Sequence, residues 1–141
     1  MEYLRKVCGY LTWPVTRVAE KASETPAIVP GGSNAKLAGI LGAIAIAALA
    51  YAAHGFRNSE RSEQNLRTFK NAADMNILHA LALLGVHNSR FPKLTTTLFL
   101  VGTVLFSGTC YYTALTDDRR FVDIAPVGGS TLIIAWLTFA L

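Results

Sequence analysis

The stretch that decides the fold is LTTTLFLVGTVLFSGTCYYTALT, residues 94–116, which carries no acidic or basic side chain. A helix rises about 1.5 Å per residue, so a helix of this length covers roughly 34 Å, whereas a bilayer's hydrocarbon core is about 30 Å thick. A water-soluble chain of 141 residues has little reason to carry such a segment. The stretch therefore predicts a membrane-spanning helix, and the rest of the chain is placed relative to it.

The composition extends this prediction to the whole chain. Hydrophobic residues make up 52% and charged residues 16%, and soluble domains carry about 25% charged residues. The charges cluster near the N-terminus, around residues 57–74 and in two short loops, with long neutral runs between them. We therefore expect an all-α, polytopic membrane protein in which residues 36–141 form a bundle of four transmembrane helices. The predicted spans are residues 36–54, 70–88, 94–116 and 125–141.

Small residues in three of these spans predict where the helices touch. Inside lipid, helices associate by close packing, so small side chains mark the faces that meet a neighbour. Thr103 and Ser107 could form hydrogen bonds across helices. The candidate packing and interface residues are Gly39, Gly42, Gly102, Gly108, Gly128 and Gly129.

Residues 1–35 have a different character, because apolar residues there recur at helical spacing before a linker rich in Pro and Gly. Leu4, Val7 and Leu11 share one helical face, and the amphipathic ring of Trp13 suits the headgroup level of a membrane. This pattern predicts an amphipathic helix that lies at the membrane surface or docks on a partner protein through these four residues. A weakly ordered tail is the alternative interpretation. The early Glu2 argues against a secretory signal or a cleaved mitochondrial presequence.

The net charge of +4 has two interpretations. The basic residues alternate with acidic ones and form no nucleic-acid-binding module, so a nucleic acid is not expected as a partner. Attraction to anionic lipids such as cardiolipin is the first interpretation. An ordinary solvated loop surface is the second.

Several short motifs occur together in order along the chain. They are Ala53-His54-Gly55, the run LHALALL at residues 78–84, Leu105-Phe106-Ser107-Gly108 with Tyr111-Tyr112, and Ala125-Pro126-Val127-Gly128-Gly129. Over residues 36–141 the chain resembles the transmembrane protein 256 family, a small family that is otherwise called a domain of unknown function and has bacterial members. The resemblance implies a four-helix membrane protein and, for the animal members, the mitochondrial inner membrane. It implies no catalytic residue.

Two histidines are the candidate chemical residues. An ionisable group inside a span is costly and often functional, which draws attention to His79. If His54 and His79 lie at one depth on facing helices, they could hold a haem or relay protons. The alternative, which the sequence favours, is a neutral His79 that bonds to a hydroxyl, to an amide such as Asn76, or to a backbone carbonyl of a neighbouring helix. No metal-ligand spacing is present, and the two cysteines are predicted to be free thiols.

These observations predict a non-enzymatic protein without a cofactor. We expect an accessory subunit of the mitochondrial inner membrane that docks on a larger assembly, with respiratory-chain complexes as the natural candidate from the resemblance. The alternative is a small haem-binding or proton-handling membrane protein that uses His54 and His79. A transporter or channel is disfavoured, because the spans show no polar stripe and no broken helix near the midplane.

Overall fold

The structure is a computed structural model that describes residues 32–56 and 62–141. The chain divides into two units, Met1–Pro30 and Gly31–Leu141. The first unit lies outside the described residues, and so do the predicted N-terminal helix and its contact residues Leu4, Val7, Leu11 and Trp13. Within the described ranges all regular structure is helical, which confirms the all-α prediction for that part of the chain.

Four long helices follow one another in the described residues. They are α1, Ser33–His54, α2, Glu63–Gly85, α3, Pro92–Thr116, and α4, Ile124–Leu137. A single 3₁₀ turn, Val86–Asn88, connects α2 to the loop before α3. Three of the helices match the predicted spans closely, and the second differs.

Helix α2 begins seven residues before the predicted span at residue 70 because local signals start it early. The Ser62 side chain accepts a hydrogen bond from the Asn65 N–H at 3.2 Å and caps the first turn,. One turn on, Arg67 and Glu63 form an exposed ion pair at 2.7 Å, four residues apart on the helix,. The first half of α2 is therefore a charged helix that continues directly into the apolar second half.

Helix α3 differs from the prediction in its middle. Val104–Gly108 is π-helical, whereas the residues on both sides are regular α-helix. A π segment widens one helical turn and interrupts the regular hydrogen-bond register, and such segments frequently occur at functional sites. The sequence shows no sign of this segment, because apolar periodicity alone does not reveal a one-residue change in register.

Two helices of the described ranges, α1 and α3, are long and apolar enough to cross a membrane. Helix α4 is apolar but has only 14 residues, and α2 carries charged residues in its first half. The surface also fits a membrane, because large apolar side chains on every helix are exposed, Ile46, Leu81, Val104 and Ile133 among them. A protein in water rarely exposes so much contiguous apolar surface.

The helices pack in chain order, with α1 on α2, α2 on α3, and α3 on α4. Two apolar clusters form near opposite ends of the unit. The first gathers Ala38, Leu83, Val86, Phe99, Leu132 and Ala135. The second gathers Ala52, Phe56, Phe69 and Ala114. The midsections of α2 and α3 lie between these clusters, and they carry the candidate site.

Candidate functional site: a buried polar row along α3

Five side chains carry a buried polar atom that forms no well-aligned hydrogen bond with any described residue. We call this set the polar row, and its members are Asn76, Thr103, Ser107, Tyr111 and Thr113. Asn76, Thr103 and Ser107 are each only 2% exposed. Along α2 and α3, these three lie between the residues of the two apolar clusters. Thr103 and Ser107 therefore do not form the interhelical hydrogen bonds that the sequence suggested.

Other hydroxyls of the described residues behave differently. Thr97 and Thr116 each donate to the backbone carbonyl four residues earlier, at 2.9 and 2.8 Å. Ser89, Thr95 and Thr138 form a buried hydroxyl chain with separations of 3.1 and 2.7 Å. A buried polar group left without a partner costs about 1–3 kcal/mol. The polar row is therefore a local exception that needs a physical reason.

The π segment coincides with this exception. Ser107 lies within it, and Thr103 directly precedes it. The Tyr111 hydroxyl, one turn later, interacts with the Asn76 side chain, so these two members of the row partly satisfy each other. Hydroxyls both donate and accept hydrogen bonds, and an amide oxygen accepts them. The row can therefore bind water or a small uncharged polar group inside an apolar bundle.

His79 lies beside the polar row, one turn after Asn76 on α2, and is 1% exposed. Its Nδ1 lies 2.6 Å from the Met75 carbonyl, and its Nε2 lies 3.2 Å from the Trp136 indole N–H. A carbonyl only accepts and an indole N–H only donates, so these partners fix the neutral tautomer with the proton on Nδ1. A neutral histidine was favoured from the sequence, but its partners are a carbonyl of its own helix and a tryptophan of α4.

Aromatic rings close around this histidine. Phe99 and Trp136 lie 5.7 and 6.2 Å from the His79 ring, and they meet edge to face at 5.4 Å. Phe139 packs against both of them at 5.9 and 5.8 Å. The cluster joins α2, α3 and the C-terminal end of α4. His79 therefore contacts α3 and the end of α4 from α2, and both of its ring nitrogens form hydrogen bonds.

The structure does not bring His54 to the level of His79. Gly42 of α1 packs opposite Ala80 of α2, whereas Ala52, two residues before His54, belongs to the cluster around Phe69. Gly42 and His54 are twelve residues apart, so the two histidines differ in level by about 15–18 Å at 1.5 Å per residue. The expected equal depth of the histidines is therefore wrong. No group of three or more metal-ligating side chains occurs in the described ranges either.

The six predicted glycines divide into three kinds. At Gly102 a Cβ would lie 2.7 Å from Leu132 Cγ, and at Gly128 it would lie 2.5 Å from Phe106 N. These two glycines allow the close crossing of α3 and α4 beside the π segment. Gly42 and Gly129 make ordinary contacts. Gly39 and Gly108 face open space, because no described atom lies within 4 Å of a Cβ placed there.

The comparison with known proteins gives the chain its family. Residues 48–129, more than half of the chain, match the family described as Protein of unknown function (DUF423). The chain belongs to the DUF423 family. The matched range runs from the second half of α1 into α4, so it contains the whole polar row and His79.

Bacterial proteins are similar to this DUF423 chain over most of their length. A UPF0382 membrane protein of Staphylococcus saprophyticus is 34% identical over 107 residues, covering 70% of this chain and 88% of its own. The UPF0382 membrane protein YwdK of Bacillus subtilis is 32% identical over 117 residues, covering 78% and 89%. A UPF0382 membrane protein of Haemophilus influenzae is 28% identical over 109 residues, covering 74% and 87%. No solved structure matches the chain significantly.

The printed names of these relatives agree with the helices described above. Each is named a membrane protein, and α1 and α3 have the length and composition of membrane spans. The prediction of a membrane protein is confirmed at this level.

Proposed function

We propose that this DUF423 chain is a non-enzymatic accessory subunit that packs against a larger membrane complex through the outer face of α1. The proposal rests on one observation: among the described helices, α1 makes extensive contact with α2 alone. Its opposite face is exposed and presents Gly39, Ala43 and Ala47 at four-residue spacing.

The character of this outer face supports a protein neighbour. Backbones approach closely where side chains are small, which is how helices associate in lipid. Bulky apolar side chains are exposed on α3 and α4, such as Val104 and Ile133, and α1 exposes Ile40 and Ile46 beside its small residues. Bulky apolar side chains suit lipid acyl chains, whereas the small-residue face of α1 suits another helix.

The proposal extends to topology and location. We propose that all four helices cross the bilayer, α2 with its charged first turns toward the headgroups and α4 as a short span. The resemblance to the transmembrane protein 256 family supports the mitochondrial inner membrane, a respiratory-chain complex or supercomplex as the partner, and anionic lipids such as cardiolipin as neighbours.

Native-gel comigration from gently solubilised membranes tests the proposal. The tagged chain is expected to migrate with a complex far larger than its own mass of 15.2 kDa. A Gly39→Leu/Ala43→Leu variant fills the proposed contact and should release the chain from that complex. Ser130→Leu adds similar bulk on the exposed face of α4 and serves as the control. Migration of the unaltered chain at its monomer size under every mild condition contradicts the proposal.

A second candidate function rests on the polar row. Unpaired hydroxyls beside a π segment favour a protein that handles water, protons or a small polar solute within the bundle. The polar row is better support for this candidate than His54 and His79 are, because these two histidines lie at different levels of the bundle. Reconstituted vesicles test it: a proton or solute flux that Ser107→Ala reduces supports the candidate, and equal fluxes with and without the protein count against it. A Soret band in the purified protein would instead support haem binding.

A further inference from the structure

The outer face of α2 carries charged side chains as far as the middle of the helix. Exposed residues recur on this face at every third or fourth position, a spacing that places side chains on one side of a helix,. We call this set the α2 stripe, and its members are Glu63, Arg67, Lys70, Asp74, Leu78 and Leu81. Asp74 lies at the midpoint of the 23-residue helix, eleven residues from each end.

The level of Asp74 is that of the apolar part of α1. Gly42 of α1 packs opposite Ala80 of α2, so six residues from this contact along each antiparallel helix Asp74 is level with Ala48, about 9 Å inside the end of α1. Asp74 also interacts electrostatically with Tyr111, within the uncharged stretch of α3. A carboxylate at such a depth is costly in lipid and is usually paired. If α2 crosses the bilayer as proposed above, Asp74 therefore needs a partner.

Two charges of the α2 stripe have no partner within the described part of the chain. Glu63 and Arg67 form an ion pair at 2.7 Å. The side chains of Lys70 and Asp74, also four residues apart, form neither a hydrogen bond nor an ion pair with any residue in the described ranges. An acid four residues before a base pairs better on a helix than the reverse order, which Lys70 and Asp74 have. One positive and one negative charge are thus free on a single turn of the outer face.

We propose that the α2 stripe packs against the α2 stripe of a second copy of this chain. Two-fold symmetry brings the same surface of both copies together, and a surface with one free cation and one free anion is complementary to itself. In a parallel helix pair, Lys70 of each copy lies about one turn, roughly 5–6 Å, along the axis from Asp74 of the other copy, which the flexible lysine stem can span. Both charges then have a partner and are shielded from lipid.

Cross-linking in native membranes tests the pairing. Leu81 lies seven residues after Asp74 and so shares the contact line of a parallel helix pair. After replacement of Cys8 and Cys110, Leu81→Cys is expected to form a disulfide between two copies under mild oxidation. Ile133→Cys is the matched control on α4, because Ile133 is 64% exposed and Leu81 is 62% exposed, and it should not cross-link. Equal cross-linking at both positions, or none at position 81, overturns the proposal.

The same assay separates this pairing from the proposed contact through α1. The Gly39→Leu/Ala43→Leu variant alters only the outer face of α1, so it should still cross-link through Leu81→Cys. Loss of the larger complex with an intact cross-link therefore counts against the α1 contact alone. A missing cross-link in a chain that still migrates with the larger complex counts against the α2 pairing alone.

Charge exchange identifies the paired residues. Lys70→Asp leaves two anions on the turn and Asp74→Lys leaves two cations, so each variant should capture a differently tagged copy of itself about tenfold less than the unaltered chain does. The two variants co-expressed should capture each other at about the unaltered level, which also shows that both fold. Lys93→Asp changes an exposed charge at the start of α3 and is the control, with no effect expected. Equal capture in every combination, or no recovery in the mixed pair, overturns the contact.

Discussion

At the scale of single residues, His79 shows how a buried polar group is retained in an apolar bundle. Each ring nitrogen has one partner, the Met75 carbonyl for Nδ1 and the Trp136 N–H for Nε2. Protonation would place a second N–H against the indole N–H and remove that bond. The neutral imidazole is therefore the form that this environment stabilises.

Trp136→Phe is predicted to destabilise the protein through this histidine. The change removes the donor and leaves Nε2 buried without a partner, which costs about 1–3 kcal/mol. The free energy of unfolding in mixed micelles measures the loss. In a His79→Phe background, Trp136→Phe should lower the free energy of unfolding by less than it does alone, because no unpaired ring nitrogen remains. Equal costs in both backgrounds would contradict the role of the hydrogen bond.

Asp118 gives a prediction about pH. Hydrogen bonds from the Arg120 side chain and N–H lower the pKa of Asp118 from its ordinary 3.8 to about 2. A carboxyl whose pKa is lower in the folded protein than in the unfolded chain stabilises the folded state at pH values above the unfolded-chain pKa. This contribution is therefore complete above pH 3.8 and is lost as the pH falls through about 2,. Because the Arg120 side chain is exposed to solvent, the effect is small and local,.

Arg120→Gln should raise the pKa of Asp118 toward its ordinary value, because the first of these hydrogen bonds is lost. The backbone N–H at position 120 still donates, so part of the depression should remain. An NMR titration of the Asp118 carboxyl carbon measures both. Arg119→Gln is the control, because Arg119 is not among the groups that shift Asp118. An identical pKa in the Arg120 variant would show that the pair does not form.

At the scale of elements, the contact between α3 and α4 depends on two glycines. A Cβ at Gly128 would lie 2.5 Å from Phe106 N and 2.9 Å from Leu105 C, both backbone atoms that cannot rotate away. Gly102 meets the side chain of Leu132 and the Gly128 carbonyl in the same contact. The close approach is needed because the backbone of the π segment itself packs against α4.

Gly128→Ala should therefore destabilise the protein even though alanine favours helix. Overpacking of this kind costs about 1–3 kcal/mol or more. Gly108→Ala is the matched control, because no described atom lies within 4 Å of its Cβ, and it should be neutral or stabilising by up to about 1 kcal/mol from helix propensity. Thermal unfolding in detergent ranks the two variants. Equal stabilities would contradict the close contact.

The elements also show which signals sequence reasoning can and cannot use. Uncharged runs predicted α1, α3 and α4 well, since lipid selects for length and apolarity. The start of α2 was missed because Ser62 and the Glu63–Arg67 pair act locally, independently of hydropathy. The π segment was missed because residues 104–108 are as apolar as their neighbours.

At the scale of the whole molecule, the proposed four spans predict an alternating topology. Asn88 in the loop before α3 and Thr116 at the end of α3 should lie on opposite sides of the membrane. After replacement of Cys8 and Cys110, cysteine at position 88 or 116 should react with an impermeant maleimide from opposite sides of sealed vesicles. Labelling of both positions from one side would contradict the crossing of α3.

The sequence by itself determined that this protein belongs to a membrane and is built from helices, because length and lack of charge are properties of a segment alone. It also pointed to the glycines and to His79. Only the tertiary structure decided which glycines lie in a contact, that His54 and His79 stand at different levels, and that Thr103 and Ser107 have no hydrogen-bond partner among the described residues. These facts depend on the register between neighbouring helices, and a register is set by packing along their whole length rather than by any one segment.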